Sequence, residues 1–285
     1  WDWFKRRMVM DEKEFYIDKD GFRIHAKLAI PCDRTVEKVM QPGAVRIPLV
    51  IVVHGLTGHM EERHITAVTQ AVLQAGAAAL RVELYGHGKT DGDFLNHNLL
   101  EWVGELLYII DYARSLPFAG SLYLTGHSQG GLAVMLAAAL KEDQLKAIIP
   151  LSPAIMIRDA CRKGEVFAEK FDPAFIPDRV KITEGKYVTG NYVRTGRVLP
   201  VEQAIDGFRK PVLIIHGTED ETVPYRYAED AARRYHNARL VPVPGDDHCY
   251  DRHLEVVTDA VGAFLREMEA DCAAVPGICS QKRGD

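Results

Sequence analysis

The chain has 285 residues, 47% of them hydrophobic and 26% charged, the composition of an ordinary globular domain rather than a fibrous or disordered one. A net charge of −5 and a pI of about 6.1 argue against nucleic acid as the main partner. No apolar run approaches the ~18 to 20 residues that a bilayer span needs, and the length suits one large α/β domain carrying an insertion.

The first predicted element is a hairpin over residues 14–30, turning at Asp18-Lys19-Asp20-Gly21. Residues 31–48 read as irregular. Leu49-Val50-Ile51-Val52-Val53 is a continuous apolar run, the mark of a parallel strand buried on both faces. It runs into His54-Gly55-Leu56-Thr57-Gly58-His59. His54 is expected to brace this loop by hydrogen bonding, since one histidine base is enough elsewhere. Residues 63–75 have helical spacing, 77–84 form the next strand, and 99–115 a helix with Leu106, Leu107 and Ile110 on its apolar face.

Leu122-Tyr123-Leu124 leads into Gly126-His127-Ser128-Gln129-Gly130, and a helical run over 132–140 follows. This is G-x-S-x-G between a strand and a helix, the context that gives the motif meaning. The tight turn strains the middle residue and holds its hydroxyl out at the carboxyl end of the sheet, near the positive end of the next helix. The flanking glycines let helix and strand approach. A strand over 147–151 follows. The alternation of strands and helices predicts right-handed crossovers and a mainly parallel sheet.

That rhythm breaks over residues 152–208, which hold several prolines and glycines. An insertion at this place is expected to be a lid, so that 1–151 and 209–285 form the core and 152–208 a cap. Its aromatics, Phe167, Phe171, Phe175, Tyr187 and Tyr192, argue against long disorder. Residues 211–215 then read as a buried strand, 216–224 as a loop, 240–243 as a short strand, and Pro244-Gly245-Asp246-Asp247-His248 as a turn. A serine nucleophile needs a base, and the base an orienting carboxylate. Ser128, an acid and a histidine follow one another in the α/β-hydrolase order, each just after a strand. In that fold the loop after the 49–53 strand and the residue after the nucleophile supply the oxyanion-hole amides, here Leu56 and Gln129.

The chain resembles the cinnamoyl/feruloyl esterases of the α/β-hydrolase superfamily. The resemblance rests on His54-Gly55-Leu56-Thr57-Gly58, Tyr85-Gly86-His87-Gly88 with Asp91-Gly92, Gly126 to Gly131, Ser152-Pro153-Ala154, Ile176-Pro177-Asp178, His216-Gly217-Thr218-Glu219-Asp220 with Val223-Pro224, and Asp247-His248-Cys249. These pieces span residues 50–250 in the family's order. The resemblance implies an α/β-hydrolase fold, a mainly parallel sheet flanked by helices with a lid insertion. It implies Ser128 as nucleophile, His248 as base and Asp220 as orienting acid, cleaving hydroxycinnamate esters through an acyl-enzyme. It also implies that residues 152–208 form the acyl pocket, where Tyr192 matches a family tyrosine and Asp159 lies near a family aspartate that grips the phenolic ring. Two positions depart from the pattern: Phe167 stands where a relative carries glutamine, and Glu83 where aspartate is usual. The H-G-x-x-D-x-x-V-P spacing selects Asp220, leaving Glu219, Glu221, Asp246 and Asp247 as expected solvated loop charges.

The same triad serves general carboxylesterases, thioesterases, acyltransferases and peptidase-type relatives, and a catalytically silent ligand-binding form is the alternative outside enzymes. The expected partner is a small-molecule ester, with no membrane and no nucleic acid; a homodimer is left open. The eleven histidines form no H-x-x-x-H or equivalent set, so no metal and no cofactor is expected. Five scattered cysteines, Cys32, Cys161, Cys249, Cys272 and Cys279, lack C-x-x-C spacing and point to free thiols in a reducing, cytoplasmic compartment. A Cys272–Cys279 pair stays open. So does a removed signal peptide, since the chain starts at Trp1 and the stretch through Arg7 is too short and charged to be a signal core.

Overall fold

The computed structural model describes residues 11–31 and 33–273. In chain order the strands and α-helices are β1 (Asp11–Lys19), β2 (Phe22–Ile30), α1 (Val36–Val39), β3 (Ile47–Val53), α2 (Arg63–Gln74), β4 (Ala78–Val82), α3 (Leu99–Ser115), β5 (Ala119–His127), α4 (Gln129–Leu140), β6 (Ala147–Leu151), α5 (Ile157–Lys163), β7 (Glu165–Val166), β8 (Glu169–Lys170), β9 (Arg179–Thr183), β10 (Lys186–Thr189), α6 (Gly190–Gly196), α7 (Val201–Gly207), β11 (Val212–Gly217), α8 (Arg226–Arg234), β12 (Ala238–Val243) and α9 (Leu254–Ala273). One eight-stranded sheet runs β1-β2-β4-β3-β5-β6-β11-β12. Every pairing from β4 to β12 is parallel, and β2 alone runs against its neighbours.

The two-residue period of the strands divides the core in two. Leu49, Ile51 and Val53 of β3 and Leu122 and Leu124 of β5 belong to one cluster with α3 and α4 residues such as Leu106, Ile110, Leu132 and Leu136. Val50, Val52 and Tyr123 belong to another with Ile65, Val68 and Val72 of α2 and Val257, Val261 and Phe264 of α9. Both faces are thus dry, which is why β3 reads as an unbroken apolar run. Each fully buried Val, Leu or Ile contributes about 1.5–3 kcal/mol of transfer free energy. α4 has buried residues on every side, from Gln129 to Ala138, because α3 and α7 cover what the sheet does not.

This division also creates the crevice. β3 leads into α2 on one face, while the adjacent β5 leads into α4 on the other. The loops leaving their carboxyl ends therefore diverge, which is where open α/β sheets bind ligands.

Most predicted elements stand within a few residues of their expected bounds, and the 99–115 helix and 147–151 strand coincide with them. α8 and α9 are additional to the predicted elements. Residues 152–208 contain α5, two hairpins (β7–β8 and β9–β10), α6 and α7. α7 packs on α4, α6 on α3, and the β9–β10 hairpin against the short turn Phe94–Asn96; Arg158 of α5 pairs with Glu202 of α7. Among the described residues no helix is long and apolar enough to cross a membrane, and no group of three or more His, Cys, Asp or Glu is placed to hold a metal ion. Trp1–Arg7, Cys32 and Cys279 lie outside the described residues.

Candidate active site

Ser128 is the single residue between β5 and α4. Its φ of 56° and ψ of −120° lie outside the regions that side-chain-bearing residues favour. The surroundings hold it there: its N–H donates to Leu151 O at 2.8 Å, and its carbonyl accepts from Leu132 and Ala154. The flanking glycines are a matter of space. A Cβ on Gly126 would stand 2.6 Å from Gly130 O, and one on Gly130 would collide with His54 O. Strand, helix and the loop after β3 therefore meet backbone to backbone beneath the serine.

Ser128 Oγ lies 2.9 Å from His248 Nε2, and His248 Nδ1 lies 2.6 Å from Asp220 Oδ2. Asp220 comes from the loop after β11, and its carboxylate is fully buried. Its Oδ1 accepts from the N–H groups of Thr222 and Val223 at 2.9 and 2.8 Å. Burial by itself would raise the Asp220 carboxyl, but hydrogen bonds from His216 and His248 outweigh it and hold the group well below the usual carboxylate range. A carboxylate that stays ionised, an imidazole donating to it, and a hydroxyl at the far ring nitrogen can pass a proton from the hydroxyl to the ring. Cys249, beside His248, has its thiol pushed up to about 11, chiefly by burial, so it is no rival thiolate at neutral pH.

The loop after β3 is fastened by two neutral histidines. His54 donates from Nδ1 to Gly55 O at 2.7 Å and accepts the Leu84 N–H at Nε2 at 3.2 Å, a bracing role. His87 donates from Nδ1 to Tyr85 O and accepts the Thr57 N–H at Nε2, at 2.9 and 3.1 Å. Thr57 needs that grip because its φ is 64°. Glu83, the departure from the family pattern, is a buried organiser of the next loop, taking the Lys89 N–H and His25 Nδ1, both at 2.7 Å. A cavity of about 800 Å³ lies beside these loops, lined by Thr57, His59, His87, Phe94, Lys186 and Tyr187 among others. Another of about 820 Å³, against Leu122, Val212 and Phe264, opens at the opposite end of the strands, away from Ser128.

Burial lowers His54 to about 3 and His64 and His87 to about 4, and holds His97 and His127 well below the imidazole range. In the unfolded chain each has an ordinary value near 6.5. Between pH 6.5 and about 4 the unfolded chain therefore binds more protons, and stability falls as pH falls. The melting temperature is expected to drop steadily below pH 6.5, with proton uptake on unfolding in calorimetry; a flat profile down to pH 4.5 would contradict the neutral-histidine assignment.

Of the other expected site residues, Leu56 lies in the β3 loop and Gln129 opens α4, where first-turn N–H groups have no intrahelical acceptor. Tyr192 of α6 is buried, and its hydroxyl donates to Gln129 Oε1 at 2.8 Å. Phe167 sits between β7 and β8 at φ 55°; it is 43% exposed, with its ring 5.9 Å from that of Tyr192. Asp159 of α5 lies beside the Tyr227 hydroxyl, at 3.4 Å. Glu219 is solvated and pairs with Arg252, and Glu221 is exposed.

Asp246 corrects the sequence reading. It is no solvated charge but fully buried, accepting the N–H groups of Asp247, Arg252 and His253 at 2.8–3.1 Å. Three backbone N–H groups of its own turn offset the cost of taking the carboxyl group out of water.

Three of the buried histidines, all near Ser128, Asp220 or His248, were given no role by the sequence. His216 Nε2 reaches Asp220 Oδ2 at 3.0 Å and Val223 O at 2.9 Å. His127 Nε2 donates to the carbonyl of His248 at 2.8 Å, tying His248 to the strand that leads into Ser128. His97 meets the Gln129 side chain at 2.6 Å. His216 and His127 had a signal in the motifs that hold them, His216–Asp220 and Gly126–Gly130; His97 carried none.

The serine aminopeptidase S33 family matches residues 46–196, and the TAP-like protein family matches 190–274. Among solved structures, Est1E from Butyrivibrio proteoclasticus with ferulic acid bound is 47% identical, covers 90% of this chain and 99% of its own, and superposes with a TM-score of 0.85. Alpha/beta hydrolase domain-containing protein 10 from mouse shares the fold at 16% identity, covering 92% of this chain and 98% of its own with a TM-score of 0.67. The human palmitoyl-protein thioesterase ABHD10 is 23% identical over 211 residues, 69% of this chain and 63% of that protein. A non-reducing polyketide synthase of Preussia isomera, Preu3, is 28% identical over 80 residues, 26% of this chain and 3% of that protein. With over half its length matched by that family, and Est1E as a relative at 47% identity, the chain belongs to the serine aminopeptidase S33 family of α/β-hydrolases, as an Est1E-like serine ester hydrolase.

Proposed function

We propose that this chain hydrolyses hydroxycinnamate esters through an acyl-enzyme on Ser128. The observation that carries the substrate class is the 47% identity, over 99% of that chain, to Est1E with ferulic acid bound. His248 takes the Ser128 proton as Oγ attacks the ester carbonyl, and Asp220 holds the imidazole in its tautomer and stabilises the imidazolium. The N–H groups of Leu56 and Gln129 stabilise the oxyanion, each worth roughly 3–4 kcal/mol in comparable sites. His248 then protonates the leaving alcohol, and a water activated by the same ring hydrolyses the acyl-enzyme. No step needs a cofactor. Residues 152–208 act as a cap on a core of 1–151 and 209–285 and supply the acyl pocket, with Tyr192, Phe167 and Asp159 contributing from the insertion. The exposed Phe167 offers a ring face on which a planar cinnamoyl group can stack.

The test is a hydrolysis panel of methyl ferulate, chlorogenate, methyl butyrate, palmitoyl-CoA and a peptide amide. The expected kcat/KM for methyl ferulate exceeds that for methyl butyrate by at least about tenfold, a difference of about 1.4 kcal/mol in transition-state binding. Preference for methyl butyrate would reduce the reading to a general carboxylesterase. Preference for palmitoyl-CoA would replace it with a thioesterase, the activity named for ABHD10.

A further inference from the structure

Gln129 follows the nucleophile, and its side chain is held at both ends. Tyr192 Oη donates to its Oε1 at 2.8 Å, and its Nε2 donates to His97 Nε2 at 2.6 Å. All three residues are buried. They come from distant parts of the chain: α6 of the insertion, the start of α4, and the loop before α3. Accepting from an amide requires an unprotonated His97 Nε2, and burial keeps that ring neutral. The His97 ring is wedged against Trp102, with centroids 4.7 Å apart, and against Tyr192, 5.8 Å apart.

An opening residue of a helix needs no such anchorage to be helical. What needs anchoring is the peptide plane between Ser128 and Gln129. It carries the Gln129 N–H, and it leaves Ser128 from a strained conformation; the Leu132 and Ala154 N–H groups hold its carbonyl side, and the side-chain bonds of Gln129 add a second hold beside the amide. Rotating that plane moves the donor away from the oxyanion. Donor preorganisation is what such a site contributes to rate.

We propose that Tyr192 and His97 are positioning residues that clamp the Gln129 side chain and so fix its backbone N–H, coupling the 152–208 insertion to the oxyanion hole. This rests on the reading of the Gln129 amide as an oxyanion donor. It gives the Tyr192 hydroxyl a role in every turnover, whatever the acyl group.

The experiment compares wild type, Tyr192→Phe and Gln129→Met, the last keeping the backbone N–H while losing both side-chain bonds. The measurements are kcat and KM on methyl ferulate and methyl butyrate, and Ki for a trifluoromethyl ketone that forms a tetrahedral adduct. Tyr192→Phe is expected to lower kcat about three- to tenfold on both esters, the loss of one net hydrogen bond, with KM little changed. Ki should rise by the same factor, and Gln129→Met should lose more on every measure. A loss confined to methyl ferulate and to KM would overturn the proposal and make Tyr192 a ring-binding residue. Unchanged kcat and Ki in Gln129→Met would overturn it as well. A wild-type enzyme that hydrolyses esters but ignores the ketone would instead remove the underlying oxyanion reading.

Discussion

Ser128→Ala is expected to lower kcat by roughly 10⁴- to 10⁶-fold and leave the fold intact. The substitution removes one oxygen and little else. Alanine keeps the Cβ, so the strain at φ 56° is unchanged. The N–H bond to Leu151 and the bonds from Leu132 and Ala154 to the carbonyl are backbone and survive. The Leu56 and Gln129 amides and the His248–Asp220 pair also stay, which is why some catalysis over water should persist. A fluorophosphonate should label the wild type once, at Ser128, and the variant not at all. Cys249 cannot take over, because its thiol is held up at about 11. Labelling at another residue, or wild-type turnover in the variant, would remove Ser128 from the chemistry.

The β/α alternation was legible because each central strand is buried on both faces and so writes itself as an uninterrupted apolar run. Ser128 and Asp220 were legible as candidates because each follows such a run, and His248 because it closes a turn after the short edge strand β12. Less readable were features defined by contact between distant segments. Asp246 looked like one more loop carboxylate among several, and only the turn that wraps it reveals a buried cap. His97 and Tyr192 stand 95 residues apart, and nothing local in either segment points to Gln129 as their common partner. α9 illustrates a different gap: Val257, Val261, Phe264, Leu265 and Met268 recur at helical spacing, yet they lie beyond His248, where no catalytic motif frames them. Residues 152–208 were readable as a break in rhythm but not as two hairpins and three short helices. Their elements are too short to show a period.

Asp220→Asn is expected to cost roughly 10⁴-fold in kcat, the scale of the tautomer penalty in a serine–histidine–acid site. The local geometry leaves the amide no good orientation. Oδ1 of Asp220 faces two backbone donors, the N–H groups of Thr222 and Val223. Oδ2 faces His216 Nε2 at 3.0 Å and His248 Nδ1 at 2.6 Å. His216 Nε2 also lies 2.9 Å from Val223 O, so its proton is on that nitrogen and it is a third donor. An Asn NH₂ in the first position meets two N–H groups. In the second it meets the His216 proton and forces His248 Nδ1 to become an acceptor. His248 then carries its proton on Nε2, the nitrogen that must accept from Ser128. The base is lost in the very arrangement that best satisfies the backbone. Glu219→Gln and Glu221→Gln should change kcat less than about threefold, since Glu219 makes only an exposed pair with Arg252. The pH–rate profiles of all three variants, measured on one ester, separate the roles. A crippled Glu219→Gln or Glu221→Gln beside an active Asp220→Asn would move the orienting acid to a different carboxylate in the same loop.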